Sequence, residues 1–161
     1  MKRLVNKIAI VTGASRAMGI GTAICRELAR EGADIFFTHW SNYDRQMKYF
    51  MDDDSVWSQH LMEEIRSFGV RCESMELDLS QPDAPRKLLD EVNERLGSPS
   101  ILVNNATYSV DVDFRSINAN ILDSHYGVNI RGTFLLTVEF ARQIEGKHGG
   151  RIINMVSGQD K

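Results

Sequence analysis

Five short apolar or β-branched runs, separated by longer segments of helical period, leave this chain few ways to fold. Lys7–Thr12 predicts a first strand. From Gly19 to Glu31 the residues Ala23, Ile24, Leu28 and Ala29 recur on one helical face, and Gly32 supplies the stop. Ala33–Thr38 predicts the second strand and Val70–Leu77 the third, with Leu61, Ile65 and Phe68 marking the helix between them. Pro82 and Pro85 open a further helix through Leu88, Leu89, Val92 and Leu96, which Gly97 ends. Ser100–Asn104 is a fourth strand. A helical stretch from Ile117 to Ile144, in one or two pieces, leads through Gly149-Gly150 into a fifth strand, Arg151–Val156.

Because crossovers between parallel strands are right-handed, five such strands predict an α/β, doubly wound (Rossmann) parallel sheet of order 3-2-1-4-5. In that arrangement a ligand sits beyond the carboxyl ends of the strands, where the winding reverses between strands one and four. The 161 residues suit one domain, 1–161, with a core of its own. One connection is unusually long. Between Trp40 and Trp57 the chain inserts Tyr43, Met47, Tyr49, Phe50 and Met51 with the acidic run Asp52-Asp53-Asp54. Read as an inserted loop over 40–57, it offers either a binding surface or local packing and a subunit contact. Three adjacent carboxylates rarely converge on one ion, so the acidic run reads as a solvated loop and helix start rather than a metal site.

A hydrophobic fraction of 42% and a charged fraction of 25% exclude disorder, collagen and a membrane protein. With a net charge of −3 and scattered Lys and Arg there is no basic field for a phosphate backbone, so nucleic acid is excluded as a partner. The run Ile8–Val11 is too short for a signal-peptide core or a membrane span, which predicts a cytoplasmic protein with no membrane partner. Cys25 and Cys72 lack metal-ligand spacing and lie in apolar periodic stretches, so buried free thiols and no metal are expected.

Thr12-Gly13-Ala14-Ser15-Arg16-Ala17-Met18-Gly19-Ile20-Gly21 joins the first strand to the first helix. Glycines there let a phosphate approach main-chain N–H groups at the positive end of a helix, which predicts a pyrophosphate cradle. No Gly-Lys-Ser or Gly-Lys-Thr follows, and the spacing is not G-x-G-x-x-G. Close helix-to-strand packing would select glycine as well.

The spacing T-G-x-x-x-A-x-G resembles that of the short-chain dehydrogenase/reductase family, with Ala17 where the family usually has glycine. Further matches follow in family order. Asp78-Leu79 ends the third strand, and Asn104-Asn105-Ala106, followed by Thr107 in place of glycine, ends the fourth. Val128-Asn129-Ile130-Arg131-Gly132-Thr133-Phe134 is similar to the family's catalytic-Asn helix. Gly150-Arg151-Ile152-Ile153-Asn154-Met155-Val156-Ser157 is similar to its catalytic-Ser strand. The resemblance extends to 3-oxoacyl-[acyl-carrier-protein] reductase-like members. Taken singly, Asn105 could cap a strand end, Asn129 bridge helices and Ser157 merely turn the chain. Their shared order is what the resemblance explains.

The resemblance implies an NAD(P)-dependent oxidoreductase that moves a hydride between a nicotinamide and a small-molecule carbonyl or alcohol. It implies Ser157 and Asn129 as catalytic residues. It further implies cofactor contacts from Gly13, Ser15, Arg16, Met18, Gly19, His39, Asp78, Leu79, Asn105, Ala106 and Thr107. NAD binders of this architecture commonly end the second strand in a carboxylate that accepts from the ribose 2′-OH. Here Asp34 lies at the other end of that strand, Thr38-His39-Trp40 carries no acid, and Arg16 can meet a 2′-phosphate, which favours NADP over NAD. Arg45 is either a second contact or a solvated loop residue.

The family's Tyr acts as general acid or base, and a Lys one turn on lowers its pKa, as a phenol near 10 needs at neutral pH. That Tyr-x-x-x-Lys pair is expected roughly a dozen residues after Ser157, on one face of a helix. None follows Ser157 within the 161 residues. The expectation is therefore the front portion of a longer enzyme, truncated after the fifth strand, with strands six and seven missing and the complete protein a homo-oligomer. Two other classes stay open: a non-catalytic dinucleotide-binding or regulatory module, and a fragment acting only in association with other subunits.

Overall fold

The computed structural model describes residues 2–46, 56–147 and 149–157. Its elements run β1 (Ile8–Val11), α1 (Ile20–Arg30), β2 (Asp34–His39), α2 (Ser41–Gln46), α3 (Trp57–Ser67), β3 (Cys72–Glu76), α4 (Ala84–Arg95) and β4 (Ile101–Asn104). There follow α5 (Ala119–His125), a π-helical segment (Tyr126–Gly132), α6 (Thr133–Ile144) and β5 (Arg151–Asn154). The strands form one parallel sheet in the order β3-β2-β1-β4-β5, as the alternation of elements predicts.

Successive side chains of a strand point to opposite faces, and the central strands are apolar on both. Val11, Ile35 and Phe37 pack with Cys25 and Ala29 of α1 and with Leu61 and Ile65 of α3. Their neighbours Ile10, Phe36 and Leu102 pack on the other face with Leu88, Leu89 and Val92 of α4 and Leu136 and Phe140 of α6. Each fully buried Phe or Leu contributes about 1.5–3 kcal/mol by leaving water. Both cysteines are buried and unpaired. Burial pushes the Cys25 thiol up and the Cys72 thiol up to about 12, so neither ionises at neutral pH.

Two expectations from the sequence are corrected. The inserted stretch 40–57 opens as helix α2 rather than loop, with the Ser41 N–H donating to Glu76 Oε1 at 3.1 Å. Met47, Tyr49, Phe50, Met51 and Asp52-Asp53-Asp54 lie outside the described residues. The stretch expected to be helical from Ile117 begins at Ala119, where the Asn118 side chain accepts from the Ile121 N–H at 3.1 Å, and a π-helical segment interrupts it. Close packing accompanies that segment, since a Cβ on Gly132 would stand 2.4 Å from the Leu79 carbonyl oxygen.

Candidate functional site

A cleft of about 470 Å³ opens beyond the carboxyl ends of β1, β2 and β4, at the predicted reversal of winding. Beneath it Thr12 Oγ1 accepts from the backbone N–H groups of the lining residues Asn105 and Ala106 at 3.0 Å each. The Asn105 side chain returns the contact, donating from Nδ2 to the carbonyls of Thr12 and Gly13 at 2.9 Å. These bonds fasten the turn after β1 to the turn after β4.

Gly13 has φ +77°, and a Cβ there would meet Ala106 Cα at 2.7 Å. A Cβ on Gly21 would stand 2.5 Å from the Gly13 carbonyl oxygen. Only glycine lets these backbones approach so closely, and Gly13, Gly19 and Gly21 all line the cleft. No side chain caps α1, whose extended N-cap is Gly19. The helix therefore presents its positive end to the cleft, as an anion cradle requires. The loop around it is braced from outside: Thr22 Oγ1 donates to the Arg16 carbonyl at 2.6 Å and Arg26 Nη1 to the Ala17 carbonyl at 3.2 Å. Arg26 is itself clamped by both oxygens of Glu64. The residues present thus fit a dinucleotide's pyrophosphate.

Most residues predicted for the cofactor converge here. Gly13, Ser15, Arg16, Met18, Gly19, His39, Leu79, Asn105, Ala106 and Thr107 all line the cleft. Burial lowers the pKa of His39 from its ordinary 6.5, although Glu76 and Asp44 pull the other way, so the imidazole is neutral at pH 7. Asp78 is not among the lining residues. Its Oδ1 accepts from the Ser80 N–H at 2.9 Å and its Oδ2 from Gln81 Nε2 at 2.8 Å, so it holds the turn into α4. Arg45 is exposed and does not line the cleft.

The predicted catalytic pair is split. Asn129, in the π-helical segment, grips the loop after β4: its Oδ1 accepts from the Tyr108 N–H at 2.8 Å and its Nδ2 donates to the Tyr108 carbonyl at 2.9 Å. Thr107 Oγ1 donates to the same Oδ1 at 3.2 Å. Ser157 lies exposed beyond the end of β5 and does not line the cleft.

Sequence reasoning missed what α2 contributes. Asp44 lines the cleft and accepts from Arg16 Nε at 3.1 Å. Tyr43 stacks on Trp40 with ring centroids 6.3 Å apart, and its hydroxyl both donates to the Ser109 carbonyl (2.9 Å) and accepts from the Ser109 N–H (3.0 Å). A strap from the end of β2 thereby reaches the loop after β4. The helix starts from Trp40, whose carbonyl accepts from the Tyr43 and Asp44 N–H groups, a start that the Ser41-Asn42-Tyr43-Asp44 sequence does not announce.

Residues 7–161 match the short chain dehydrogenase family. An uncharacterized oxidoreductase of Bacillus subtilis, YjdA, is 47% identical over 156 residues, which cover 96% of this chain and 58% of that protein. A 3-oxoacyl-[acyl-carrier-protein] reductase of Staphylococcus epidermidis is 29% identical over 152 residues, 94% of this chain and 57% of that protein. Among solved structures, a short chain dehydrogenase from Burkholderia cenocepacia in complex with NADP superposes with a TM-score of 0.79 at 32% identity, over 94% of this chain and 56% of that one. The chain spans somewhat more than half the length of the relatives it matches.

Proposed function

The chain belongs to the short chain dehydrogenase family, and from that premise we propose that its cleft holds NADP for reversible hydride transfer to a small carbonyl compound. One observation carries the proposal: an uncapped helix N-terminus, packed closely against the turn after β1 because positions 13 and 21 are glycine, lines the cleft at the point where the sheet reverses its winding. When bound, NADP supplies or accepts the hydride. The chain's own residues bind and orient it. The first turn of α1 faces the pyrophosphate, Leu79 and Ala106 offer apolar contact, and the Arg16 guanidinium favours a 2′-phosphate over a bare hydroxyl. The NADP complex of the Burkholderia cenocepacia relative supports the choice of cofactor.

Asn129 acts by fixing the loop after β4 through Tyr108, and Ser157 takes the substrate oxygen. A proton relay of this family's kind also needs the Tyr-x-x-x-Lys pair. An apolar stripe at helical spacing, Leu122, Tyr126, Ile130 and Phe134, all more than half exposed, supports self-association of the complete protein. Among the described residues no helix is long and apolar enough to cross a membrane.

The test is calorimetric titration with NADP⁺ and NAD⁺. Micromolar binding of NADP⁺, weakened at least tenfold by Gly13→Val, is the expected result; equal binding by the variant overturns the assignment of the cleft.

A further inference from the structure

We propose that Asp44 sets the balance between a dinucleotide with a free ribose 2′-hydroxyl and one with a 2′-phosphate, by holding the guanidinium that would receive the phosphate. The inference rests on the dinucleotide reading above and concerns only its adenosine-ribose end. Arg16 comes from the glycine loop and Asp44 from α2, and they meet across the cleft with Nε to Oδ1 at 3.1 Å and side chains 36% and 21% exposed. Among the described residues lining the cleft they are the only Arg, Lys, Asp or Glu. His39 beside them is half-buried, and partial burial lowers its pKa, which disfavours a second positive charge there. Glu76 accepts from the Ser41 N–H and does not line the cleft.

The described lining thus offers one full positive charge and one full negative charge, paired with each other. A carboxylate that accepts from a guanidinium retains lone pairs, enough to accept also from a ribose hydroxyl. A 2′-phosphate finds a different situation. It must share Arg16 with Asp44 or draw it away, and either way two like charges come to lie within a few ångströms of each other. Asp44 therefore favours the unphosphorylated ribose, Arg16 the phosphorylated one, and their contact makes the two preferences interdependent. The carboxylate that sequence reasoning sought at the end of β2 is supplied from the following helix.

Partial exposure screens the pair, so the expected effect is moderate. Calorimetry on the full chain uses adenosine 2′,5′-bisphosphate and 5′-AMP as probes of the ribose end, with NADP⁺ and NAD⁺ in parallel. Asp44→Asn tightens the bisphosphate about tenfold and weakens 5′-AMP about threefold. Arg16→Gln weakens the bisphosphate, and in the double variant the gain from Asp44→Asn disappears, since no guanidinium is left to release. Circular dichroism and Tm check that each variant folds, with Asp44→Ser as a second neutral replacement. An unchanged or lower bisphosphate affinity in both Asp44 variants overturns the inference while leaving the NADP reading intact, provided Arg16→Gln still weakens that probe. If neither Arg16→Gln nor Gly13→Val affects any of the four ligands, the dinucleotide reading itself fails.

Discussion

β1 and β5 lie on either side of β4 in one sheet, and each is four residues long, yet their surroundings could hardly differ more. Ala9, Ile10 and Val11 of β1 are sealed from solvent, whereas Arg151, Ile153 and Asn154 of β5 are exposed. The same contrast separates the helices. α1 buries Gly21, Thr22, Cys25 and Ala29, while α5 buries none of its residues. The half of the molecule around β1 is covered on both faces, and it holds the glycine cradle and the Arg16–Asp44 pair. The half around β5 bears Asn129 and Ser157 and presents an open strand edge and an apolar helix face. A parallel strand is stable when both its faces are covered, so burial here is conferred by neighbours rather than by the strand's own residues.

The sharpest way to break this comparison is to delete side chains on each side of it. Phe36→Ala, in the covered half, is expected to cost about 3–5 kcal/mol by urea denaturation, whereas Ile153→Ala in β5 costs about 1 kcal/mol or less. Equal losses would mean that β5 is as well covered as β1. Next in size is Asn129→Ala. It removes two bonds to the Tyr108 backbone, and a loss of about 1–3 kcal/mol with faster amide exchange at Tyr108 and Ser109 is expected. Unchanged exchange would show that Asn129 does not brace that loop.

A smaller effect is expected from pH. The folded pKa of His39 lies below its ordinary 6.5, so the unfolded chain takes up a proton that the folded one refuses. Its contribution is complete above that value and is lost as pH falls from about 6.5 toward the folded pKa. His39→Gln should flatten this part of the stability profile between about pH 8 and about pH 5, and an identical slope would remove His39 from the account. The smallest effect on folding is predicted for Phe134→Ser, about 0.5 kcal/mol or less, because the ring is 66% exposed. Light scattering of the complete protein should nonetheless show weaker self-association; no change in mass would exclude the stripe from that role.

Much of the cleft was legible before the structure, and what escaped notice has a common cause. The glycine loop could be read because its demands are local: a positive φ at Gly13 and the absence of a Cβ are properties of that residue and its immediate turn. Asp78 carried the right identity at the right strand end, yet its carboxylate turns to Ser80 and Gln81, a choice that depends on how the chain enters α4. Asp44 lies five residues beyond the end of β2, and only the fold brings it to the cleft, because the short helix that carries it lies against the cleft.

The sequence by itself determined the order of the strands, the parallel sheet 3-2-1-4-5 and the place of the glycine loop between β1 and α1. Period, glycine placement and crossover handedness act over a few residues or one unit at a time. Only the tertiary structure decided that Arg16 pairs with Asp44, that Tyr43 straps β2 to the loop after β4, and that a π-helical segment lets Asn129 grip Tyr108. Those contacts join residues 21 to 66 positions apart, and the side chains that make them are aimed only once both cores have packed.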